Sequence, residues 1–370
     1  MHAQLSRYKS ASRINIMGRI SPAHLLYMDG IKMYVPKSPL VLGVQITDRC
    51  NLNCPHCNVD ANQKGRSLPQ DIVLSIIDEA VRIGVKELIL GGGEVLLYDD
   101  FFIISDFALS KGLNLSFSSN GLLIPEKIHQ ISKLQKYNTI IRVGISLDGP
   151  TPEIHGYFRP IETYESALNA IQILQKSNIS THVLCVLNKS NINLISDYLK
   201  FLANRNIYNV RFIPFMPTGR GKKYKDEMLT PDQFYNILNE KQKMNENYGI
   251  NIGLSIPWDF LLSPPEKRVP HPCEAGYLRL WINSNGDMFP CSYMSDIPIG
   301  NIYHDSIGDA WLNSSIMKKF RDPVLLKGAC ATCDYRDSCR GGCRGLAYFL
   351  EGDYLCADPY CQHVRQKKLQ

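Results

Sequence analysis

Residues 41–57 read VLGVQITDRCNLNCPHC. The first seven are nearly all apolar, and a short apolar run of this kind reads as a buried strand. It leads straight into three cysteines, Cys50, Cys54 and Cys57, spaced C-x3-C-x2-C. A closed structural zinc site takes four protein ligands, usually in close pairs. No fourth cysteine stands nearby at that spacing, and His56, between Pro55 and Cys57, points away if its neighbours ligate. Three thiolates leave one metal corner open.

Outward from this loop a rhythm repeats. Apolar residues at helical spacing fill 69–84, 101–112, 125–137, 163–177, 192–206 and 230–247. Short apolar runs at 86–93, 114–121, 140–149, 180–188 and 209–215 alternate with them. Counting the first strand, this makes six strand-then-helix units, which means parallel strands with helical crossovers. The fold class is therefore α/β, a partial (β/α)6 barrel, whose chemistry sits at the C-terminal ends of the strands. The unusual residues obey that rule: the cysteine loop, Gly91–Glu94, Ser118–Gly121, Ser146–Gly149 and Pro214–Gly221 all follow strands.

After Pro257 the rhythm stops. YLRLWINSNGDMFPC reads as a hairpin around an Asn-Gly turn. A single helix is expected around IGDAWLNSSIMKKF, in a tail rich in Cys, Gly and Asp. Small loop-rich regions without a good core need staples. The expected organisation is an N-terminal extension over 1–38 with a strand or hairpin, a barrel over 39–260, and a loop-rich, metal-stapled domain over 261–370.

The net charge of +6, from 41 basic and 35 acidic residues, is too mild for the basic stripe of a nucleic-acid binder. The excess at Arg220–Lys225 and the tail VRQKK read as solvated surface. No apolar run is long enough to cross a bilayer, and no apolar signal segment opens the chain. A cytoplasmic location is expected, where twelve clustered cysteines argue for metal ligation over disulfides. Cys185, alone in the fifth strand, reads as a small apolar residue.

The three-cysteine loop after the first strand of such a barrel resembles the signature of the radical SAM enzymes. The resemblance implies that Cys50, Cys54 and Cys57 hold a catalytic [4Fe–4S] cluster whose free iron takes S-adenosylmethionine (SAM), with His56 near the adenine. GGGE lacks the Lys-Ser/Thr pair of a phosphate-binding loop. By the resemblance, Gly91, Gly92 and Gly93 let the backbone approach SAM, and Glu94 or a nearby carbonyl accepts from its ammonium; Val95 stands where the family often has Pro. Ser118, Asn120, Ser146, Asp148 and Arg159 complete the SAM pocket, Ser146 and Arg159 on its carboxylate and ribose, where arginine offers a planar fork.

Eight cysteines fall between Cys273 and Cys361. Taken alone, this segment also suits a pair of zinc sites. Its pattern, with CDYRDSCRGGCRGLAYFLEGDYLCADPYC at its centre, resembles the SPASM extension, which carries up to two auxiliary [4Fe–4S] clusters. That resemblance implies Cys273, Cys291 and Cys343 on the nearer cluster, its fourth ligand open. Cys330, Cys333, Cys339 and Cys361 then hold the outer one, with Cys356 an extra thiol.

The implied activity is reductive cleavage of SAM to a 5′-deoxyadenosyl radical that takes hydrogen from a substrate. The expected substrate is a ribosomally made peptide undergoing maturation; the alternative is haem or tetrapyrrole side-chain decarboxylation or modification. A reducing partner such as flavodoxin or ferredoxin is implied, and a separate protein could supply peptide recognition. The rival from another class is a non-catalytic multi-cluster electron-transfer protein, which needs no SAM pocket.

Overall fold

The computed structural model describes residues 35–254, 257, 260, 272–361 and 363–365. The strand or hairpin expected in the N-terminal extension lies outside the described residues. Strand β1 (Val41–Thr47) is buried along almost its whole length, as parallel strands covered on both faces are. Helix α1 (Gln70–Ile83) lays Val73, Ile76, Ile77 and Ala80 along one buried stripe. It ends at Gly84, whose φ of 95° is left-handed and whose N–H caps the carbonyls of Ala80 and Val81.

The alternation continues through β2 (Glu87–Gly92), α2 (Phe101–Ser110), β3 (Asn114–Ser119), α3 (Ile124–Lys133) and β4 (Ile141–Ser146). A one-turn α4 (Pro152–His155) precedes α5 (Thr163–Lys176), then β5 (Ser180–Leu187), α6 (Ile195–Ala203), β6 (Asn209–Pro214) and α7 (Pro231–Tyr248). Helix α7 opens with a reciprocal cap between Thr230 and Gln233 and closes at left-handed Gly249. Strands β1 to β6 pair in sequence order, all parallel. The six expected units are present.

Alternate strand residues face opposite ways. Leu88, Leu90, Leu115, Phe117, Val143, Ile145, Val183, Cys185, Val210 and Phe212 are buried beneath the helices. Cys185 thus packs as the small apolar residue it was expected to be. The other set, including Glu87, Ser116, Ser118, Arg142, Ser146, His182 and Arg211, faces the concave lumen.

Four strands extend the sheet beyond the six expected units. β7 (Asn251–Leu254) pairs parallel to β6. At only four residues, half of them polar or glycine, it carries no legible apolar run. At the other edge, β8 (Arg279–Ile282) of the expected hairpin pairs parallel to β1, followed by antiparallel β9 (Asp287–Phe289) and β10 (Gly300–Asn301). One ten-stranded sheet results. Trp281 lies flat against Gly43, where a Cβ would come within 2.4 Å of its ring. The hairpin therefore covers the β1 edge, which would otherwise offer unpaired backbone groups. Sheet and core both run across the boundary expected near residue 260: Leu280, Ile282, Met288, Ile307 and Trp311 belong to the same apolar cluster as the barrel.

The single helix expected at 307–320 is two. α8 (Ile307–Asn313) and α9 (Ser315–Arg321) are separated by Ser314, whose extended ψ of 129° breaks the ladder. Two further helices, α10 (Arg336–Cys339) and α11 (Arg344–Glu351), lie between the last cysteines.

Gly92 and Gly112 give paired tests of these contacts. Gly92 has a φ of 140° and a Cβ there would meet the Thr47 carbonyl oxygen at 2.0 Å, whereas Gly112, at φ 86°, has nothing within 4 Å. Gly92→Ala is expected to lower stability by at least about 3 kcal/mol, against about 1 kcal/mol for Gly112→Ala, measured by urea unfolding at equal cofactor loading.

Candidate active site

The cysteine loop is gripped by the end of β2. Gly93 N–H donates to the Thr47 carbonyl and Glu94 N–H to the Arg49 carbonyl, each at 2.8 Å. So close an approach leaves no room for a side chain: a Cβ on Gly93 would lie 2.2 Å from the Arg49 oxygen. Gly92 and Gly93 are thus required by the loop itself; Gly91 has no such crowding. Glu94 is buried, and its carboxylate accepts from Leu96 N–H at 3.2 Å and Asn120 N–H at 2.8 Å. Burial pushes this carboxyl up to about 7, against the pull of those donors and Ser119. Asn120 in turn donates from Nδ2 to Asn51 Oδ1 at 2.8 Å. Three strand ends are joined through Glu94 and Asn120, both of which were expected to face SAM and both of which also build the rim.

The thiols receive backbone donors. Leu52 N–H points at Cys50 Sγ and Ala61 N–H at Cys57 Sγ, both at 3.4 Å. Burial pushes the Cys50 thiol up to about 11, with Glu94, Cys54 and Cys57 adding to it. Burial also raises Cys54, an effect that Arg159 partly offsets.

Arg220 corrects the expectation of a solvated basic cluster. Its Nε donates to the Cys54 carbonyl at 3.1 Å, and its Nη1 to the Ala61 carbonyl at 2.6 Å and to Asp60 at 2.8 Å. Its own N–H donates to the Cys57 carbonyl at 3.0 Å. Gly219 beside it sits where a Cβ would strike the carbonyls of Cys57 and Asn58 at 2.5 Å. Glycines on both sides of one arginine at a strand end were the available sequence signal. In the other basic stretch Arg365 pairs with Asp232 at 2.6 Å.

His56 stacks on Phe158 with ring centroids 5.1 Å apart, and its Nδ1 lies 2.8 Å from the Phe158 carbonyl. Burial, then Arg159, lowers its pKa to about 4, so the ring is neutral. Arg159 Nε donates to Asp148 Oδ2 at 2.6 Å, and Asp148 Oδ1 accepts from Val186 N–H at 2.8 Å. Burial alone would raise the Asp148 carboxyl, but Arg159 and the other donors hold it below its ordinary value. The two terminal nitrogens of Arg159 have no hydrogen-bond partner among the described residues. Ser118 is exposed and Ser146 half-buried on the lumen side.

Deeper in the lumen, Arg142 pairs with Glu87 at 3.3 Å and Arg279 with Glu274 at 2.6 Å. Arg211 is solvent-accessible yet enclosed by the barrel; burial and then Arg279 lower its pKa. Tyr293, its hydroxyl pushed up by burial, neighbours Arg211 on one side and Cys291 and Cys343 on the other.

The remaining cysteines gather into two groups. Cys273, Cys291 and Cys343 are mutual electrostatic neighbours, raised by burial, Cys291 to about 12. Backbone N–H groups of Ala275, Tyr293 and Leu346 aim at them. Cys330 neighbours Cys333, and Cys339 and Cys361 neighbour Cys330; burial pushes Cys330 up to about 11 and Cys361 to about 12. The Cys356 thiol lies beside Lys327. Between the groups sits Asp358, wholly buried, accepting from Cys343 N–H at 2.7 Å and directing its own N–H at Cys330. No helix among the described residues is long and apolar enough to cross a membrane.

Residues 44–202 match the model of the radical SAM superfamily and residues 273–340 that of an iron–sulfur cluster-binding domain, SPASM. An AdoMet-dependent heme synthase of Methanosarcina barkeri is 30% identical over 352 residues, covering 90% of this chain and 98% of that one. The chain belongs to the radical SAM superfamily. A mycofactocin maturase, MftC, of Mycobacterium tuberculosis is 28% identical over 337 residues, covering 88% of this chain and 83% of its own. Among solved structures, SuiB of Streptococcus suis bound to its precursor peptide SuiA superposes with a TM-score of 0.72 at 18% identity, covering 88% of this chain and 76% of that one. AdoMet-bound anSMEcpe does so at 0.68 and 20%, covering 89% and 96%.

The cofactors of this radical SAM/SPASM chain are [4Fe–4S] clusters and SAM. Its donor sets fit them. Thiols that burial holds protonated ionise only against a cation, and N–H groups aimed at sulfur suit thiolate ligands of a cluster. Among the described residues no three Cys, His, Asp or Glu side chains converge on a point suited to one metal ion.

Arg220→Ala is expected to loosen the first loop, with iron falling by about four per chain and SAM-dependent activity with it. An unchanged iron content would show that the clamp is dispensable. Asp148→Asn is expected to cost about 3–5 kcal/mol by leaving Arg159 without its counter-charge. Because the Asp148 pKa is depressed, its contribution is full above its ordinary value of 3.8 and is lost as pH falls through the folded value. The deficit of the variant is therefore largest at neutral pH and shrinks in acid, as read from unfolding midpoints across pH.

Proposed function

We propose that Cys50, Cys54 and Cys57 hold the SAM-binding cluster and that the chain matures a ribosomally made peptide. The observation that supports this most is a three-thiol loop locked to a rim whose remaining polar groups face the lumen. When bound and reduced, the cluster supplies the electron that splits SAM to methionine and a 5′-deoxyadenosyl radical. Arg159, fixed at Nε by Asp148, keeps its terminal nitrogens for a carboxylate or ribose of SAM. Ser118 and Ser146 offer hydroxyls to the same ligand, the His56–Phe158 stack gives the adenine an apolar wall, and Gly91 leaves the rim narrow there.

The substrate lies in the lumen against Arg142, Arg211 and Arg279, so we assign it at least one carboxylate. A peptide carries such groups, and the mycofactocin maturase likeness supports that class. The heme synthase likeness, the more identical of the two relatives and spanning nearly all of that protein, favours a carboxylate-bearing tetrapyrrole as the second reading. Cys273, Cys291 and Cys343 hold one auxiliary cluster and Cys330, Cys333, Cys339 and Cys361 the other. A flavodoxin or ferredoxin supplies the electron in a reducing cytoplasm, and a separate protein presents the peptide.

Cys54→Ala is expected to abolish 5′-deoxyadenosine formation; normal formation would refute the loop's role. Cys339→Ala is expected to retain SAM cleavage while product falls at least about tenfold. Mass change in a peptide encoded beside the gene, set against iron porphyrin carboxylates, separates the two substrate classes.

A further inference from the structure

Arg344 opens α11 directly after Cys343 and is among the most deeply enclosed large side chains, at 1% exposure. Its Nε, Nη1 and Nη2 all lack a hydrogen-bond partner among the described residues. A guanidinium has five N–H donors and keeps its charge. Such a group, buried and unpaired, is strongly destabilising, so something absent from the chain itself completes it.

The surroundings say what. The Phe320 ring lies 5.7 Å from the guanidinium carbon. Gly341, at φ 90°, makes the space, since a Cβ there would fall 2.3 Å from Nη1. The titratable groups facing Arg344 are Tyr277, Cys330, Cys339, Asp353 and Tyr354, the last packed on Phe320 with ring centroids 5.8 Å apart. Tyr277 donates its hydroxyl to the Phe320 carbonyl, and Asp353 is paired with Lys327 at 2.7 Å. What remains is the face of Cys330 and Cys339. The neighbouring arginines are already engaged: Arg340 donates to the carbonyls of Asp337 and Arg321, and Arg336 to Asp337 and the Ala331 carbonyl.

We propose that Arg344 is the built-in counter-charge of the outer cluster, donating its N–H groups to the sulfur face of a cube held by Cys330, Cys333, Cys339 and Cys361 and raising its reduction potential. This rests on reading those four cysteines as ligands. A cube on four thiolates is negative, and more so when reduced; hydrogen bonds to its sulfurs and adjacent charge set its potential. Asp358, facing both thiol groups, acts in the opposite sense. Arg344 is a positioning and tuning residue, not a catalytic one.

The test is an EPR-monitored redox titration of the full-length, anaerobically reconstituted protein, with iron and spin counted. Cys333→Ala identifies the outer signal by its loss. At a fixed potential Arg344→Gln is expected to lower the reduced-to-oxidised ratio of the outer cluster about tenfold, a shift of about 60 mV for one electron, with the other clusters unmoved. Arg344→Lys, which keeps the charge, is expected to recover part of it. An outer cluster that is present with the same midpoint in all three proteins overturns the proposal. Should the variants fail to assemble that cluster, wild-type protein labelled with 15N-arginine decides: hyperfine coupling from guanidinium nitrogen to the reduced outer cluster supports the proposal, and no coupling overturns it. Absence of any third cluster in the wild type removes both the ligand reading and this one, and is distinguished by the iron count.

Discussion

Two backbone hydrogen bonds, from Gly93 to Thr47 and from Glu94 to Arg49, hold the molecule's chemistry in place. They bring the end of β2 so close to the cysteine loop that only glycine fits. Everything at the rim follows from that contact. Glu94, pressed into the interior, draws in the N–H groups of Leu96 and Asn120. Asn120 then reaches back to Asn51 between the first two cysteines. Arg220 closes the loop from the sixth strand. Cys50 and Cys54, which burial disfavours as anions, are held beside Cys57 by groups that are themselves rigid, a deficit that a bound cation would offset.

The same logic recurs toward the C-terminus. Each of the two groups of thiols is buried and served by backbone N–H donors. Charge is distributed along the line from rim to tail. Arg159 is neutralised by Asp148, Arg142 by Glu87 and Arg279 by Glu274. Asp358 stands between the thiol groups, and Arg344 is buried with none of its three guanidinium nitrogens partnered among the described residues. The sheet makes this line possible, because β8 pairs directly with β1 and lies in the chain between Cys273 and Cys291.

Much of this was legible in sequence. VLGVQITDRCNLNCPHC announces a buried strand that empties into a three-cysteine loop, and the alternation of apolar runs with helical stripes counts out the barrel. The Asn-Gly hairpin was legible because its turn needs those residue types. Other features were not. Arg220 looked like one basic residue among several, because most of its partners are carbonyls some 160 positions away in the chain and carbonyls leave no mark on residue identity. The broken helix at Ser314 was hidden because its apolar spacing continues on both sides. β7 was too short, and half polar, to stand out.

Local sequence determined which segments become strand, helix and turn, and which residue types stand at strand ends, because periodicity and backbone preference act over a few residues. The tertiary structure alone decided which of those side chains remain available. Glu94 and Asn120 are committed to the rim, Ser118, Ser146 and the terminal nitrogens of Arg159 are left open, and Arg344 is sealed without a partner among the described residues. That division depends on burial and on contacts between residues far apart in the chain, and such contacts exist only once the sheet has brought both of its edges into place.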